Sequence, residues 1–187
     1  MSLGRLSLVL ALLASASVIA PTNQAQAYST LGCKWGSSTV KYYVPSPLIV
    51  AATIGNGASR WNNASVNATL QRLTSSTDAM VTGTGEARGN TVVWTAMVRK
   101  KGTVETVPSC TNRLWGAGTI EIVINTTANG WASATVDRQN GAAAHEFGHV
   151  LGLAHSSSST VLMYSYYNVA PTTPQTDDKN GVNSLYK

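Results

Sequence analysis

Residues 145–155 read HEFGHVLGLAH and contain all three histidines of the chain. His145 and His149 are four positions apart, so on a helix their imidazoles lie on one face within about 6 Å of each other. Gly152 follows one turn later, where glycine readily takes a left-handed conformation and lets the chain turn, bringing His155 round as a third ligand. Three nitrogen ligands with an open fourth position are typical of a catalytic zinc, because structural sites usually have four protein ligands.

Glu146, next to the first of these ligands, predicts the chemistry of the site. Zinc lowers the pKa of a bound water to about 7, so Glu146 can take its proton and the resulting hydroxide can attack a polarised carbonyl. The same carboxyl can then pass the proton to the leaving amine. The pattern therefore predicts peptide-bond hydrolysis through a zinc-bound water activated by Glu146, with one Zn²⁺ as cofactor.

The full spacing is far more specific than a bare HExxH pattern. The order His-Glu-x-x-His-x-x-Gly-x-x-His is expected by chance in a chain of this length on the order of once in ten thousand, if all residues are equally frequent. Two other interpretations stay open. The histidines could have only a structural role at a helix end, with their hydrogen bonds satisfied, or the protein could bind zinc without catalysing a reaction. The exclusive clustering counts against the first, and the presence of Glu146 counts against the second.

The elements that must position this site follow from hydrophobic periodicity. Strands are predicted in STVKYYVP, TLQRLTS, AMVTGTGE, TVVWTAMVRK and TIEIVINT. Helices are predicted over 47–62, over 137–152 with Asp137 as its cap, and in the C-terminal segment TPQTDDKNGVNSLYK. This order predicts an α+β (mixed α/β) domain in which the histidine helix follows the completed sheet.

Residues 1–27 have the pattern of a secretory signal peptide. An apolar run follows Arg5, and Ala-Gln-Ala at 25–27 is a small-residue cleavage site. An uncleaved membrane anchor is the alternative, but the run is short for a span and contains serines. We therefore expect a single domain over 28–187 that is secreted, extracellular and monomeric, with no stable membrane association once the leader is removed.

The charge balance does not favour a nucleic-acid partner. The chain has 13 basic and 8 acidic residues and a formal net charge of +5, which falls by one when Arg5 leaves with the leader. Its basic run from Arg99 to Lys101 precedes Gly102 and is interpreted as a solvated hairpin turn rather than a functional patch.

Cys33 and Cys110 are the only cysteines. In an exported chain such a pair predicts a disulfide, which would tie the N-terminal segment to the middle of the fold. In the chain-entropy model it stabilises by about 3 to 4 kcal/mol. Two thiolate ligands for zinc are the alternative, but no histidine is left over to join them.

Beyond the metal motif, the sequence resembles the metzincin zinc endopeptidases, whose signature is HExxHxxGxxH followed by a methionine turn. Met163 in VLMYSYYN stands where that methionine lies beneath the three histidines. Within the metzincins the chain is most similar to the matrixins, because His-Ser at 155–156, Leu-Met-Tyr at 162–164 and the closing DDKNGVNSLY have counterparts there. The specific likeness covers residues 136–187.

The resemblance implies a zincin domain with a twisted, mostly parallel sheet, an antiparallel edge strand, an active-site helix, a Met-turn and a C-terminal helix. It also implies a protein or peptide substrate bound extended along an edge strand. The candidate is GTIEIVINT with Ile120, Ile122 and Ile124, and an internal position of this strand is the alternative. Tyr164 and Tyr167 are implied to line the pocket for the substrate side chain.

Several departures limit what the resemblance implies. Ser165 stands where matrixins usually have proline, so the family's pocket preference is not carried over. No histidine lies outside the motif, so the second, structural zinc of animal matrixins is not expected, and calcium is possible but not indicated. In the family a mature N-terminal ammonium can pair with the last helix, which implies a contact of Tyr28 with Asp177 or Asp178.

Three classes of function remain in competition. A secreted zinc endopeptidase accounts for the most features. A zinc hydrolase of another amide, such as a cell-wall peptide, would share every site residue and differ only in substrate. A non-catalytic secreted binding module would instead use an adhesive face of tryptophans, for which the candidates are Trp35, Trp94, Trp115 and Trp131.

Overall fold

The computed structural model of the chain describes residues 28–45, 49–92, 95–104, 110–166 and 168–187. Its elements, in chain order, are β1 (Thr39–Tyr43), α1 (Ile49–Asn62), β2 (Thr69–Arg72), β3 (Val81–Glu86), β4 (Ala96–Lys100), β5 (Ile120–Asn125), α2 (Val136–Val150) and α3 (Thr176–Leu185). The proposed leader at 1–27 lies outside the described residues and stays a prediction. Within the described ranges, no helix is long and apolar enough to cross a membrane.

The five strands form one sheet in the order β2-β1-β3-β5-β4. β1 pairs in parallel with β2 and β3, and β3 pairs in parallel with β5. β4 is antiparallel to β5 and lies at the edge of the sheet. The predicted mixed α/β class, with a mostly parallel sheet and an antiparallel edge strand, is therefore confirmed.

The prediction that GTIEIVINT forms the edge strand is wrong, because β5 lies between β3 and β4. Its residues Ile120, Ile122 and Ile124 are fully buried on the face of the sheet that carries the helices. Alternation of apolar residues indicates that one face of a strand is covered, but it does not indicate which strands lie on either side. The edge near the histidine helix belongs to β4.

α1 and α2 pack against each other on the same side of the sheet, and a glycine lies where they are closest. A Cβ atom built on Gly57 would be 2.7 Å from the backbone of Ala143 and Ala144. One turn later, Trp61 is fully buried and donates its Nε1–H to the carbonyl of Ala144 at 2.7 Å. A glycine that is unfavourable for helix propensity thus lets α1 support the histidine helix closely.

We expect Gly57→Ala to destabilise the protein although alanine is the better helix former. The added methyl would overlap the α2 backbone, and such overpacking costs about 1–3 kcal/mol, against a propensity gain of up to about 1 kcal/mol. Gly55→Ala is the matched control in the same helix, because the nearest atom to its Cβ is Arg72 Nη1 at 3.4 Å. Urea unfolding should show Gly57→Ala less stable than Gly55→Ala, and the reverse order would contradict the packing described.

The disulfide between Cys33 and Cys110 is confirmed, with Cα atoms 6.0 Å apart. The tryptophans do not form an adhesive face within the described part of the chain. Trp35, Trp115 and Trp131 are 2%, 6% and 6% exposed, so they belong to the core, while Trp94 lies outside the described residues.

The prediction that the basic run from Arg99 to Lys101 forms a solvated turn is wrong for Arg99. Arg99 lies on β4, and its side chain is 8% exposed, with Nη2 at 2.7 Å from Glu121 and 2.5 Å from Glu86. Glu121 is its direct partner across the β4–β5 ladder, so the sheet register brings together charges that are far apart in sequence. The turn itself begins only after Lys100.

Candidate metal centre

The first two histidines are carried by α2, which begins after Thr135. The Thr135 side chain accepts a hydrogen bond from the backbone N–H of Arg138 at 3.2 Å, as a threonine in extended conformation does at a helix start. Asp137 was predicted as the cap, and this is wrong, since it lies in the first turn and pairs with Arg60 at 2.6 Å. Past the end of the helix, Gly152 has φ +100°, which confirms the predicted left-handed exit.

The three histidine side chains converge on one point. Nε2 of His155 lies 3.1 Å from Nε2 of His149 and 3.2 Å from Nε2 of His145, and one ligand atom of each lies within 4.8 Å of the others. Tetrahedral zinc with bonds of about 2.0–2.1 Å requires nitrogens about 3.3–3.4 Å apart. The donor set and its spacing therefore fit a single zinc ion.

Backbone carbonyls hold the two buried imidazoles in the orientation that metal binding requires. His145 Nδ1 is 2.8 Å from the carbonyl oxygen of Leu162, and His149 Nδ1 is 2.8 Å from that of Leu153. A carbonyl only accepts, so Nδ1 carries the proton and the Nε2 lone pair faces the cluster. Burial lowers the pKa of His145 to about 4 and that of His149 well below its usual range, so both are neutral ligands at neutral pH.

Glu146 is buried and only partly satisfied. Its side chain is 6% exposed, and its Oε2 atom has no hydrogen-bond partner within the described part of the chain. The backbone N–H of Val98, on edge strand β4, hydrogen-bonds to the carboxylate, but burial dominates and raises the pKa of Glu146 to about 8. A buried carboxyl with a free oxygen and a raised pKa is suited to proton transfer near neutral pH.

The turn that contains Met163 closes the site from the side of α3. Met163 is 2% exposed, and its Sδ packs so tightly on Gly148 that a Cβ atom there has no room. After the turn, the half-buried ring of Tyr164 lies 5.6 Å from that of Tyr166. Tyr167 lies outside the described residues, so its place in a substrate pocket stays a prediction.

Asp178 supports this turn, a role that the sequence did not predict. The residue is 1% exposed, and its carboxylate accepts hydrogen bonds from the backbone N–H groups of Leu162 at 2.9 Å, Met163 at 3.1 Å and Gln175 at 2.8 Å. Burial raises the pKa of Asp178, while these three bonds act in the opposite direction. Because the Leu162 carbonyl orients His145, Asp178 reaches the metal ligands through one intervening turn.

Zinc is expected to stabilise the folded chain, because a ligand that binds only the folded state lowers its free energy. At a free zinc concentration of a hundred times Kd, the gain is about 2.7 kcal/mol. Thermal unfolding with zinc and with a chelator measures it. His149→Gln should remove most of the response, and a wild-type melting temperature that ignores zinc would contradict the site.

Fold and site together define a mixed α/β protein in which the last long helix and the following turn bring together three histidines that could hold one metal ion. The comparison with protein families agrees with this class, since residues 60–187 match the matrixin peptidases (Peptidase_M10). The chain belongs to the matrixin family, and the resemblance seen in the sequence is confirmed.

Individual relatives are similar over a short stretch only. The chain is 53% identical over 45 residues to stromelysin-3 of Xenopus laevis and 52% identical over 48 residues to human neutrophil collagenase. Each match covers 24% of this chain, and 9% and 10% of those two relatives. Among solved structures, the GM1-bound form of the ECX AB5 holotoxin shares the fold, with a TM-score of 0.52, 14% identity and 81% of both chains covered.

Proposed function

We propose that this protein is a secreted zinc-dependent endopeptidase whose catalytic centre consists of His145, His149, His155 and Glu146. The observation that carries the proposal is the convergence of three Nε2 atoms 3.1 and 3.2 Å apart, with a buried and partly unpartnered glutamate one position after the first ligand. Membership of the matrixin family supports both the zinc and the peptide substrate.

The roles of the residues follow from their surroundings. The three histidines would hold the ion through Nε2. Bound zinc supplies a Lewis acid that polarises a carbonyl and acidifies water. Glu146 would take a proton from the attacking water at its free Oε2 atom and return it to the leaving nitrogen. A nearby cation favours the charged carboxylate, so metal binding would lower the pKa of Glu146 from about 8 towards neutrality.

We propose β4 as the strand that binds the substrate, in place of β5. β4 forms the edge of the sheet, and its Val98 N–H reaches the Glu146 carboxylate. An edge strand offers unpaired backbone groups to an extended peptide, which would add to the sheet beside the catalytic centre. Tyr164 and Tyr167 remain the proposed lining of the pocket, and Ser165 would shape its preference.

The cellular context is part of the same proposal. Removal of residues 1–27 would release a monomeric single domain over 28–187 to the extracellular space, without stable membrane association. The Cys33–Cys110 disulfide supports this, because disulfides persist in oxidising compartments. We propose that its partners are protein or peptide substrates and that it does not bind nucleic acid.

The test is a comparison of substrates with the purified protein after leader removal. An internally quenched peptide library and a panel of cell-wall peptides are each incubated with the protein, with and without a zinc chelator. Chelator-sensitive cleavage of internal bonds in the library would support the endopeptidase. Cleavage confined to the cell-wall panel would favour the other amide hydrolase, and no cleavage of either by a zinc-loaded protein would favour a binding role.

A further inference from the structure

The turn between the second and third histidine is paired with a segment from the opposite end of the chain. The backbone N–H of Leu31 donates to the carbonyl of Gly152 at 2.8 Å, and the N–H of Ala154 donates to the carbonyl of Ser29 at 2.8 Å. These bonds form an antiparallel bridge around residues 30 and 153. Residues 29–31 thus form a short strand against the ligand turn, and we call it the N-terminal strand.

The paired turn fixes two of the three ligands. The Leu153 carbonyl accepts the hydrogen bond that orients His149, at 2.8 Å. Ala154, whose N–H is held by the N-terminal strand, directly precedes His155. A shift of this turn would therefore rotate the buried imidazole of His149 and displace the exposed imidazole of His155.

The N-terminal strand is itself anchored by the disulfide two residues further on. Cys33 is crosslinked to Cys110, and its carbonyl packs so closely on Gly152 that no Cβ atom fits there. The backbone of Lys34 pairs with the loop after Cys110. Its N–H donates to the carbonyl of Arg113 at 3.0 Å, and its carbonyl accepts from the N–H of Trp115 at 2.9 Å. The crosslink therefore holds this segment in contact with Gly152, at which the ligand turn leaves α2.

We propose that the Cys33–Cys110 disulfide and the N-terminal strand are a positioning device for the zinc site. The inference rests on the zinc centre of the proposed function and adds a determinant outside its motif. Partners of this kind that orient metal ligands typically change metal affinity by about 10- to 100-fold. A purely structural disulfide would change the stability of the fold and leave the affinity of the folded protein for zinc unaltered.

The experiment compares zinc affinity in the wild type and in the double variant Cys33→Ser, Cys110→Ser, by competition with a chromophoric chelator. We expect the folded double variant to bind zinc at least about tenfold more weakly. Leu70→Ala is the matched control, because Leu70 is 4% exposed on β2, the edge strand at the far side of the sheet from β4. It should lower stability and leave zinc affinity unchanged. Unchanged affinity in the folded double variant would overturn the proposal.

Amide hydrogen exchange on the wild type provides a second measurement that does not depend on the folding of any variant. Coupling between two sites is reciprocal. If pairing of the N-terminal strand with the ligand turn increases the affinity for zinc, zinc binding must in turn stabilise that pairing. Zinc should slow exchange at Leu31 and Ala154 more than at Leu73, whose N–H bonds to the Tyr42 carbonyl at 2.8 Å on the far side of the sheet. Equal effects at all three amides would also overturn the proposal.

Neither readout uses peptide cleavage, so the positioning device and the endopeptidase fail separately. A wild type that binds zinc and cleaves nothing refutes the proposed activity and leaves this test in force. A wild type that binds no zinc refutes the metal site and the positioning device together.

Discussion

Glu146→Gln should remove peptide cleavage while zinc stays bound. Glutamine has nearly the same shape but cannot take up a proton, and positioned general acid–base groups contribute about 100- to 10,000-fold to rate. His145 and His149 keep their carbonyl partners Leu162 and Leu153, because the hydrogen bond of Glu146 goes to a different residue, Val98. The measurement is kcat/KM on a cleaved peptide, with bound zinc quantified in the same samples.

The control for this substitution is Asp78→Asn, which makes the same change of charge at an exposed position outside the site. It should leave kcat/KM and zinc content at wild-type values. The metal-free Glu146→Gln protein should unfold no more easily than the wild type, because burial already disfavours the charged carboxylate. Cleavage within tenfold of the wild type by a zinc-loaded Glu146→Gln protein would show that Glu146 is not the proton acceptor.

The second large effect is expected for Asp178→Asn, which should lower both stability and zinc affinity. The carboxylate accepts three backbone N–H bonds at 2.8, 2.9 and 3.1 Å, whereas an amide places an NH₂ group against at least one of these donors. Hydrogen bonds to charged groups contribute about 1.5–3 kcal/mol each, so we expect a loss of at least about 2 kcal/mol in the free energy of unfolding. Loosening of the Leu162 carbonyl should weaken zinc binding about tenfold or more through His145.

Asp78→Asn is the matched control for this experiment as well. It makes the same change at an exposed position outside the site. Its stability should stay within about 0.5 kcal/mol of the wild type. Urea unfolding of the metal-free proteins and chelator competition give the two quantities. Equal behaviour of the two variants would show that the Asp178 hydrogen bonds do not support the turn.

The features that the sequence predicted well are local ones. The spacing of His145, His149 and His155 contains its own geometry, because a helix and a glycine exit fix where the three rings can meet. The alternation in Ile120, Ile122 and Ile124 likewise predicts a strand with one buried face. In both cases the physical cause lies within one turn or one strand, so the pattern alone is sufficient.

The features that the sequence did not predict depend on contacts between distant segments. No local pattern identifies the neighbours on which these features depend. They are the internal position of β5, the burial of Arg99 between two glutamates and the packing of Gly57 on α2. Asp178 had one local signal, since a glutamine and an aspartate three residues apart form a capping box at the start of α3. That signal indicates a helix start and not the support of a ligand turn.

In the proposed function, three histidines hold one zinc ion at which the protein cleaves peptides. The most direct test strips the metal from the purified protein, returns zinc in measured steps and follows both bound zinc and cleavage of a quenched peptide. We expect cleavage to be absent at the start, to rise in proportion to bound zinc and to level off at one ion per chain. Cleavage that persists in the fully stripped protein, or a chain that takes up no zinc, would contradict the proposed function.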